Sequence, residues 1–276
     1  MKVFYWLVLL SLMIHSENYE LKYLKDKSHI SKGFGFHTDI GYGSYLIELH
    51  SSEMDSAIDY DVLEFTLGVS YTYDRWIIGL YGKFLLDELT SNMYLTNGEN
   101  GLNNHAKIDK DEFAFYLNHT FQSTEIDRWK LNLIYRYASL DAVDKYNSFY
   151  NYHSDFNYQT NGLAFSLVYL YKLTEEDFLQ WSGGVVYSRA NININGSTNQ
   201  HLQDSFVDDK VDSVGYKASI AYHRKITNNF SLDIRFDGWE HDFKKVNIGS
   251  RVDDFLPDGK LKEEFYSSYG GFTWKF

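Results

Sequence analysis

The sequence contains no cysteine and a single proline, Pro257. The missing thiols exclude structural disulfides, thiol catalysis, a lipidated cysteine anchor and any cysteine-based metal site. Their absence also suits export to an oxidising space. The scarcity of proline leaves almost nothing to interrupt a β-ladder. Long apolar runs are missing too. After the N-terminus no stretch reaches the roughly 18–20 apolar residues that a membrane helix needs, which excludes helical spanning. Basic residues are in deficit, 26 against 38 acidic ones, for a net charge of -12. The resulting pI near 5.2 argues against nucleic acid as a partner.

Aromatic residues are what the chain has in abundance. They make up 18% of it, with 24 Tyr, 20 Phe and 6 Trp. Aromatic rings favour strands and also suit membrane interfaces. The N-terminus reads as a targeting segment over residues 1–16: Lys2 is the positive n-region, Val3 to Ile14 the apolar h-region, and Ser16 a small residue before a cut. Ile14 departs from the small residue expected two places before Ser16. Residues 17–32 read as a short lead-in, and residues 33–276 as one domain without a linker or a break in composition.

From Gly33 onward the pattern has period two. Leu63, Phe65, Leu67, Val69 and Tyr71 alternate with Glu64, Thr66, Gly68, Ser70 and Thr72. After a turn at Tyr73-Asp74, Trp76, Ile78 and Leu80 alternate with Ile77, Gly79 and Tyr81. A two-residue turn there sets Tyr71 beside Trp76 and Glu64 opposite Lys83. A one-residue slip would flip every side chain, so agreement of both faces supports the register. The pattern recurs at Phe113–Phe121, Trp129–Tyr137, Leu163–Tyr171, Leu179–Tyr187, Val214–Tyr222 and Phe230–Phe236. With a first strand near 33–49 and a last near 264–276, ten strands are expected. Turns near 73–74, 123–128, 174–177 and 227–229 are short. The connections near 50–60, 87–111, 141–156, 190–211 and 241–263 are longer and polar. Short turns alternating with long loops describe an all-β, up-and-down, closed antiparallel barrel that crosses a membrane.

The rival is a soluble barrel or sandwich with its apolar face inward. A closed ten-stranded interior would be overfilled by that many large side chains. The other face makes a sensible lumen, with Ser, Thr, Gly and Asn, and with charges at Glu64, Lys83, Lys130, Arg136, Lys217, Asp233, Arg235 and Asp237. Pairing across the 227–229 turn sets Lys217 opposite Asp237. Two lumen ion pairs are therefore expected, Glu64 with Lys83 and Lys217 with Asp237. Chance pairing on a solvated surface is the plainer alternative.

The chain ends Ser268-Tyr269-Gly270-Gly271-Phe272-Thr273-Trp274-Lys275-Phe276. This resembles the terminal strand of bacterial outer-membrane β-barrel proteins. The resemblance implies an outer-membrane location and a C-terminal assembly signal at Phe272, Trp274 and Phe276. The implied partners are the barrel-assembly machinery, outer-membrane lipid and lipopolysaccharide. Ten-stranded barrels of this kind include adhesin-type barrels and omptin proteases. Likeness to omptins implies an acidic pair and a His–acid pair facing each other at the extracellular rim to activate water. The candidates are Asp87, Glu88, Glu240 and His241, although their spacing departs from the family's Asp-x-Asp and Asp-x-His forms. The bland reading makes all four solvated rim charges. Asp208, Asp209, Asp212, Asp253, Asp254 and Asp258 suggest cation-bridged lipopolysaccharide, or simply soluble loops. His37 and Asp39 share a strand face. No nucleotide loop, zinc spacing or nucleophile elbow is present, and no cofactor or metal is expected. The expected role is structural or surface-interacting, with a narrow pore and a surface protease as the alternatives.

Overall fold

A computed structural model describes residues 32–51, 55–96, 101–104, 106–144, 152–198, 201–248 and 256–276. The targeting segment at 1–16 and nearly all of the lead-in lie outside these residues. The strands are β1 (Lys32–His50), β2 (Asp55–Tyr73), β3 (Trp76–Thr96), β4 (Gly101–Asn104), β5 (Ala106–Ser123) and β6 (Asp127–Asp144). They continue with β7 (Tyr152–Lys172), β8 (Asp177–Thr198), β9 (His201–Lys225), β10 (Phe230–Ile248) and β11 (Leu256–Lys275). Except that β5 pairs with β3 rather than with β4, neighbours in sequence pair antiparallel, and β11 pairs with β1, so the sheet closes. The short β4 pairs with the far end of β3, and β5 with its near end. Together β4 and β5 occupy one position in the wall. The result is a closed ten-position barrel with one extra short strand.

The turns fix the registers, and they correct two expected ones. The first turn is Asp74-Arg75, because Asp74 takes a left-handed φ of 54° and Tyr73 pairs with Trp76. Asp tolerates this region better than most residues. Relative to the sequence reading, the hairpin shifts by two residues. Side chains keep their faces, but Thr66 rather than Glu64 lies opposite Lys83. The β9–β10 hairpin shifts likewise, placing Trp239 opposite Lys217 and Ser219 opposite Asp237.

The other three turns share a device. Thr124, Thr174 and Thr227 each accept backbone N–H bonds at Oγ1, from Asp127 at 3.0 Å, Asp177 at 3.0 Å and Phe230 at 3.1 Å. A threonine hydroxyl thereby replaces ladder bonds where the chain reverses.

Apart from the four-residue β4, the strands run 18–25 residues, nearly twice the ~10–12 expected for a spanning segment. Much of what reads as long loop is therefore ladder. Nearest the short turns, large apolar side chains point outward: Leu67, Ile78, Phe115, Leu133, Phe165, Ile220 and Ile234 are all exposed. Trp76, Trp181 and Trp274 are exposed beside them near the turns, and Trp129 is half-buried against Tyr169. Soluble proteins rarely expose apolar patches beyond a few hundred Å². A belt around the whole barrel requires lipid, and it excludes the soluble rival.

Beyond the belt the faces exchange chemistry while the alternation continues. Outward positions become polar, among them Asp59, Asp61, Asp109, Asp141, Arg189 and Lys262. Inward ones become apolar, among them Leu49, Ile58, Phe156, Ile192, Phe243 and Leu261, all buried. The barrel therefore stands out of the membrane as a collar with a soluble-type core.

Candidate functional site

The interior has three levels. Nearest the short turns, inward positions are small or polar, including Gly35, Ser70, Gly79, Ser182, Ser219 and Thr273. Here Asp39 lies 3.5 Å from Arg235, which also holds Asp237 at 2.8 Å. His223 Nδ1 bonds Asp233, and Thr273 donates to the other Asp233 oxygen at 2.8 Å.

The middle level is a buried charge network. Glu64 is 2% exposed and Glu112 is 1% exposed. Glu64 accepts from Lys110 Nζ at 2.6 Å, from the Tyr45 hydroxyl at 2.6 Å and from the Tyr269 hydroxyl at 2.8 Å. Lys83 donates to the Tyr269 hydroxyl at 3.0 Å and lies 3.6 Å from Glu112. Arg136 Nη2 reaches Glu112 at 2.9 Å, and its guanidinium lies 5.0 Å from the Trp239 ring centroid. Glu263, buried and bonded by the Tyr158 hydroxyl at 2.8 Å, lies within electrostatic reach of Arg136. Three carboxylates thus face three cations, as burial of charge demands.

The third level is the apolar plug. Tyr45 stacks between Tyr60, at 4.7 Å between centroids, and Phe265, at 4.2 Å. Leu49, Ile58, Phe156, Ile192, Phe243 and Leu261 pack around them. These residues come from strands all round the barrel wall.

Glycines let large rings lie flat inside. A Cβ on Gly41 would stand 2.0 Å from Tyr269 Cδ1, and one on Gly79 2.4 Å from Tyr116 Cζ. The Tyr269 ring that bonds Glu64 and Lys83 thus depends on a bare backbone beside it.

The eight lumen charges read from the sequence all occupy inward positions, but with different partners. Glu64 pairs with Lys110, and Lys83 with Glu112; Tyr269 links Glu64 to Lys83. Asp237 pairs with Arg235, while Lys217 lies 4.8 Å over the Trp239 ring. The two-residue register shifts are the physical reason. The sequence reading misses Lys110 because it falls in the connection expected near 87–111, and Glu112 because it stands just before the strand expected from Phe113. The alternation of Lys110, Glu112, Ala114 and Tyr116 is the signal that would have found them.

The four rim candidates are separated by strand geometry. Asp87 is exposed beside a β-bulge. Glu88 accepts from Ser91 at 2.6 Å and from the Ile108 N–H at 2.9 Å. Glu240 points outward, 3.7 Å from Lys262. His241 points inward, buried between Trp239 and Phe243, with Ser213 3.3 Å from its Nδ1. Burial lowers the His241 pKa from its ordinary value. His37 packs on Gly68 and near Tyr81, with Asp39 turned to Arg235. Asp212 makes an exposed ion pair with Arg189 at 2.8 Å. The side chains of Asp208, Asp209 and Asp258, and the whole of Asp253 and Asp254, lie outside the description. Phe272 and Trp274 face outward on β11, with Phe230 between them, and Phe276 is exposed at the end. Among the described residues no group of three His or acidic side chains is placed to hold a metal.

No family model matches the sequence, and no curated protein matches it. Among solved structures the chain is similar to the outer membrane protease OmpT from Escherichia coli, with TM-score 0.70 and 10% identity over 90% of this chain and 99% of that one. The translocator domain of the autotransporter NalP from Neisseria meningitidis aligns at TM-score 0.48 and 9% identity, over 90% of each chain. The outer membrane protein OprG from Pseudomonas aeruginosa aligns at TM-score 0.42 and 15% identity, over 90% of this chain and 97% of that one. Such low identity speaks to fold alone. Closure and the lipid-facing belt agree with the likeness to OmpT, and the chain has the fold of bacterial outer-membrane β-barrel proteins.

Proposed function

We propose that the protein is an integral outer-membrane barrel with a sealed lumen, whose role is structural or surface-interacting through the collar that stands above the lipid. In barrels of this class short turns face the periplasm and the opposite end faces outward. The plug and network then lie at the extracellular side. The observation that carries the reading is the filling of the collar by Tyr45, Tyr60, Phe265 and their neighbours, directly above the Glu64–Lys110 pair. A continuous water path would have to pass both.

The same observation weighs against a narrow pore. The omptin-like reading has little support either. Water activation needs an acid–base pair that converges, whereas Glu240 and His241 point to opposite faces. Outer-membrane lipid and lipopolysaccharide are the partners expected around the belt and the collar base. Planar-bilayer recording of the refolded barrel tests the proposal. No stable channel openings are expected. Long-lived openings of uniform conductance would overturn the sealed lumen.

A further inference from the structure

His241 stands inside the collar and is 1% exposed. Its ring lies between Trp239 and Phe243 of its own strand, with centroids 6.2 and 6.0 Å away and interplanar angles of 27° and 23°. On the β9 side it lies against bare backbone, because a Cβ on Gly215 would stand 2.7 Å from Nδ1. Ser213 Oγ is 3.3 Å from Nδ1, and Nε2 is buried without a hydrogen-bond partner. Phe243 belongs to the plug and meets the Tyr158 ring edge-on at 6.4 Å. The imidazole is thus built into the seal itself.

Three charged groups act on it. Glu263 stands directly across the β10–β11 ladder, buried and already bonded by the Tyr158 hydroxyl of β7 at 2.8 Å. Arg136 on β6 acts through space, with its guanidinium 5.0 Å from the Trp239 centroid. Asp242 follows on the same strand and points outward. β9 brings Ser213 and Gly215, which are uncharged, and Lys217, which lies 4.8 Å over the Trp239 ring. Burial is the largest influence and opposes a proton on the ring. Glu263 and Asp242 favour it and Arg136 opposes it, and the pKa stays below the ordinary 6.5. An imidazolium has two N–H donors, and among the described residues Ser213 alone stands within hydrogen-bond reach of the ring. A buried charge with an unmet donor is costly. The stability that the neutral ring contributes is therefore complete above pH 6.5 and is lost as pH falls below it, down to the lowered folded value.

We propose that His241 is a proton-operated latch of the collar, around which the plug packs while the ring is neutral and loosens once the ring is protonated. The charged ring must turn toward water or a carboxylate, and Phe243 and the plug residues packed on it lose their support. Such a latch presupposes the sealed lumen proposed above and makes the seal conditional on pH. A proton taken by the loosened state alone raises the population of that state about tenfold between pH 7.5 and pH 5.5.

Amide hydrogen exchange of the refolded full chain in a maltoside detergent, at pH 7.5 and pH 5.5, tests this. The reading is the opening of the collar, residues 211–217 and 239–244, relative to the belt, residues 163–168 and 232–236. Both are corrected for the intrinsic pH dependence of exchange. His241→Gln and His241→Phe cannot take the proton, and Glu263→Gln leaves the histidine in place. Heat-dependent gel mobility checks that each is folded. A wild-type ratio that rises about tenfold at pH 5.5, stays flat in either histidine variant and still rises in Glu263→Gln supports the latch. A wild-type ratio that does not move overturns it. A rise that the histidine variants retain, or that Glu263→Gln abolishes, assigns the proton to a carboxylate and also overturns it. Planar-bilayer recording at pH 7.5 separates the two readings. Stable openings there contradict the seal, whereas a closed lumen with pH-independent exchange contradicts the latch alone.

Discussion

The Tyr45 hydroxyl donates to Glu64 across 2.6 Å, and this bond joins the apolar plug to the charge network beneath it. The Tyr45 ring belongs to the plug, stacked on Tyr60 and Phe265. Its oxygen belongs to the network, where Lys110 also reaches it. Tyr45→Phe keeps the ring and removes the bond, so a loss of about 1–3 kcal/mol is expected. Tyr45→Ala also opens a cavity, and about 3–5 kcal/mol is expected. Urea unfolding of the refolded barrel, followed by tryptophan fluorescence, measures both. Equal losses would place the energy in the hydroxyl alone.

Glu112 serves two cations, Arg136 at 2.9 Å and Lys83 at 3.6 Å. Removing one partner of a buried pair leaves charge uncompensated. Glu112→Ala is therefore expected to cost about 3–5 kcal/mol, and Glu112→Leu with Arg136→Met less than the sum of the single changes. A double-mutant cycle in urea checks this. Additive losses would show that the two side chains act independently.

Gly41 is needed because the Tyr269 ring occupies the place of a Cβ. Gly41→Ala must displace that ring from both Glu64 and Lys83. A cost of about 1–3 kcal/mol is expected. In a Tyr269→Ala background the same change should cost less, since the ring is gone and only the Ser268 carbonyl oxygen, 2.7 Å from the same place, is left to meet. Unfolding midpoints of the four proteins decide it.

Asp177 closes the β7–β8 turn with Thr174, which donates to it at 2.7 Å. The Tyr222 hydroxyl first, and then Thr174, hold its carboxyl below the ordinary 3.8. A depressed folded value means the contribution is complete above pH about 3.8 and fades as pH falls through the lower folded value. Removing the Tyr222 and Thr174 hydroxyls removes this dependence. Tyr222→Phe with Thr174→Val is therefore expected to narrow the stability difference between pH 5 and pH 2, seen in urea midpoints at the two values. An unchanged difference would place the acid response elsewhere.

The architecture was legible because lipid and water impose a period-two code on every spanning strand. Leu67, Ile78, Phe115 and Leu133 stand outward as that code requires. The partners inside were less legible. A shift of two residues leaves faces unchanged, so nothing in the alternation at Glu64 or Lys217 betrays which residue stands opposite. Only the turn chemistry decides, through Asp74 in one hairpin and Thr227 in another. The collar was hidden for a related reason. Tyr45, Ile47 and Leu49 continue the alternation of β1, but the apolar side has moved from outside to inside. A polar outward residue such as Asp109 reads equally well as loop. The repeated Thr-x-x-Asp turns at Thr124 and Thr174 were in plain view, and their hydroxyl bonding would have fixed two registers.

The central claim is that the lumen is sealed from the extracellular side, and thiol labelling tests it most directly. The chain has no cysteine of its own, so single replacements report cleanly. Ser231→Cys stands inward near the short turns, and Asp212→Cys stands exposed on the collar. A bulky, membrane-impermeant maleimide is added to intact cells, and then to cells with a permeabilised outer membrane. The account predicts rapid labelling of Asp212→Cys in both, and of Ser231→Cys only after permeabilisation. Labelling of Ser231→Cys in intact cells at the collar rate would contradict it.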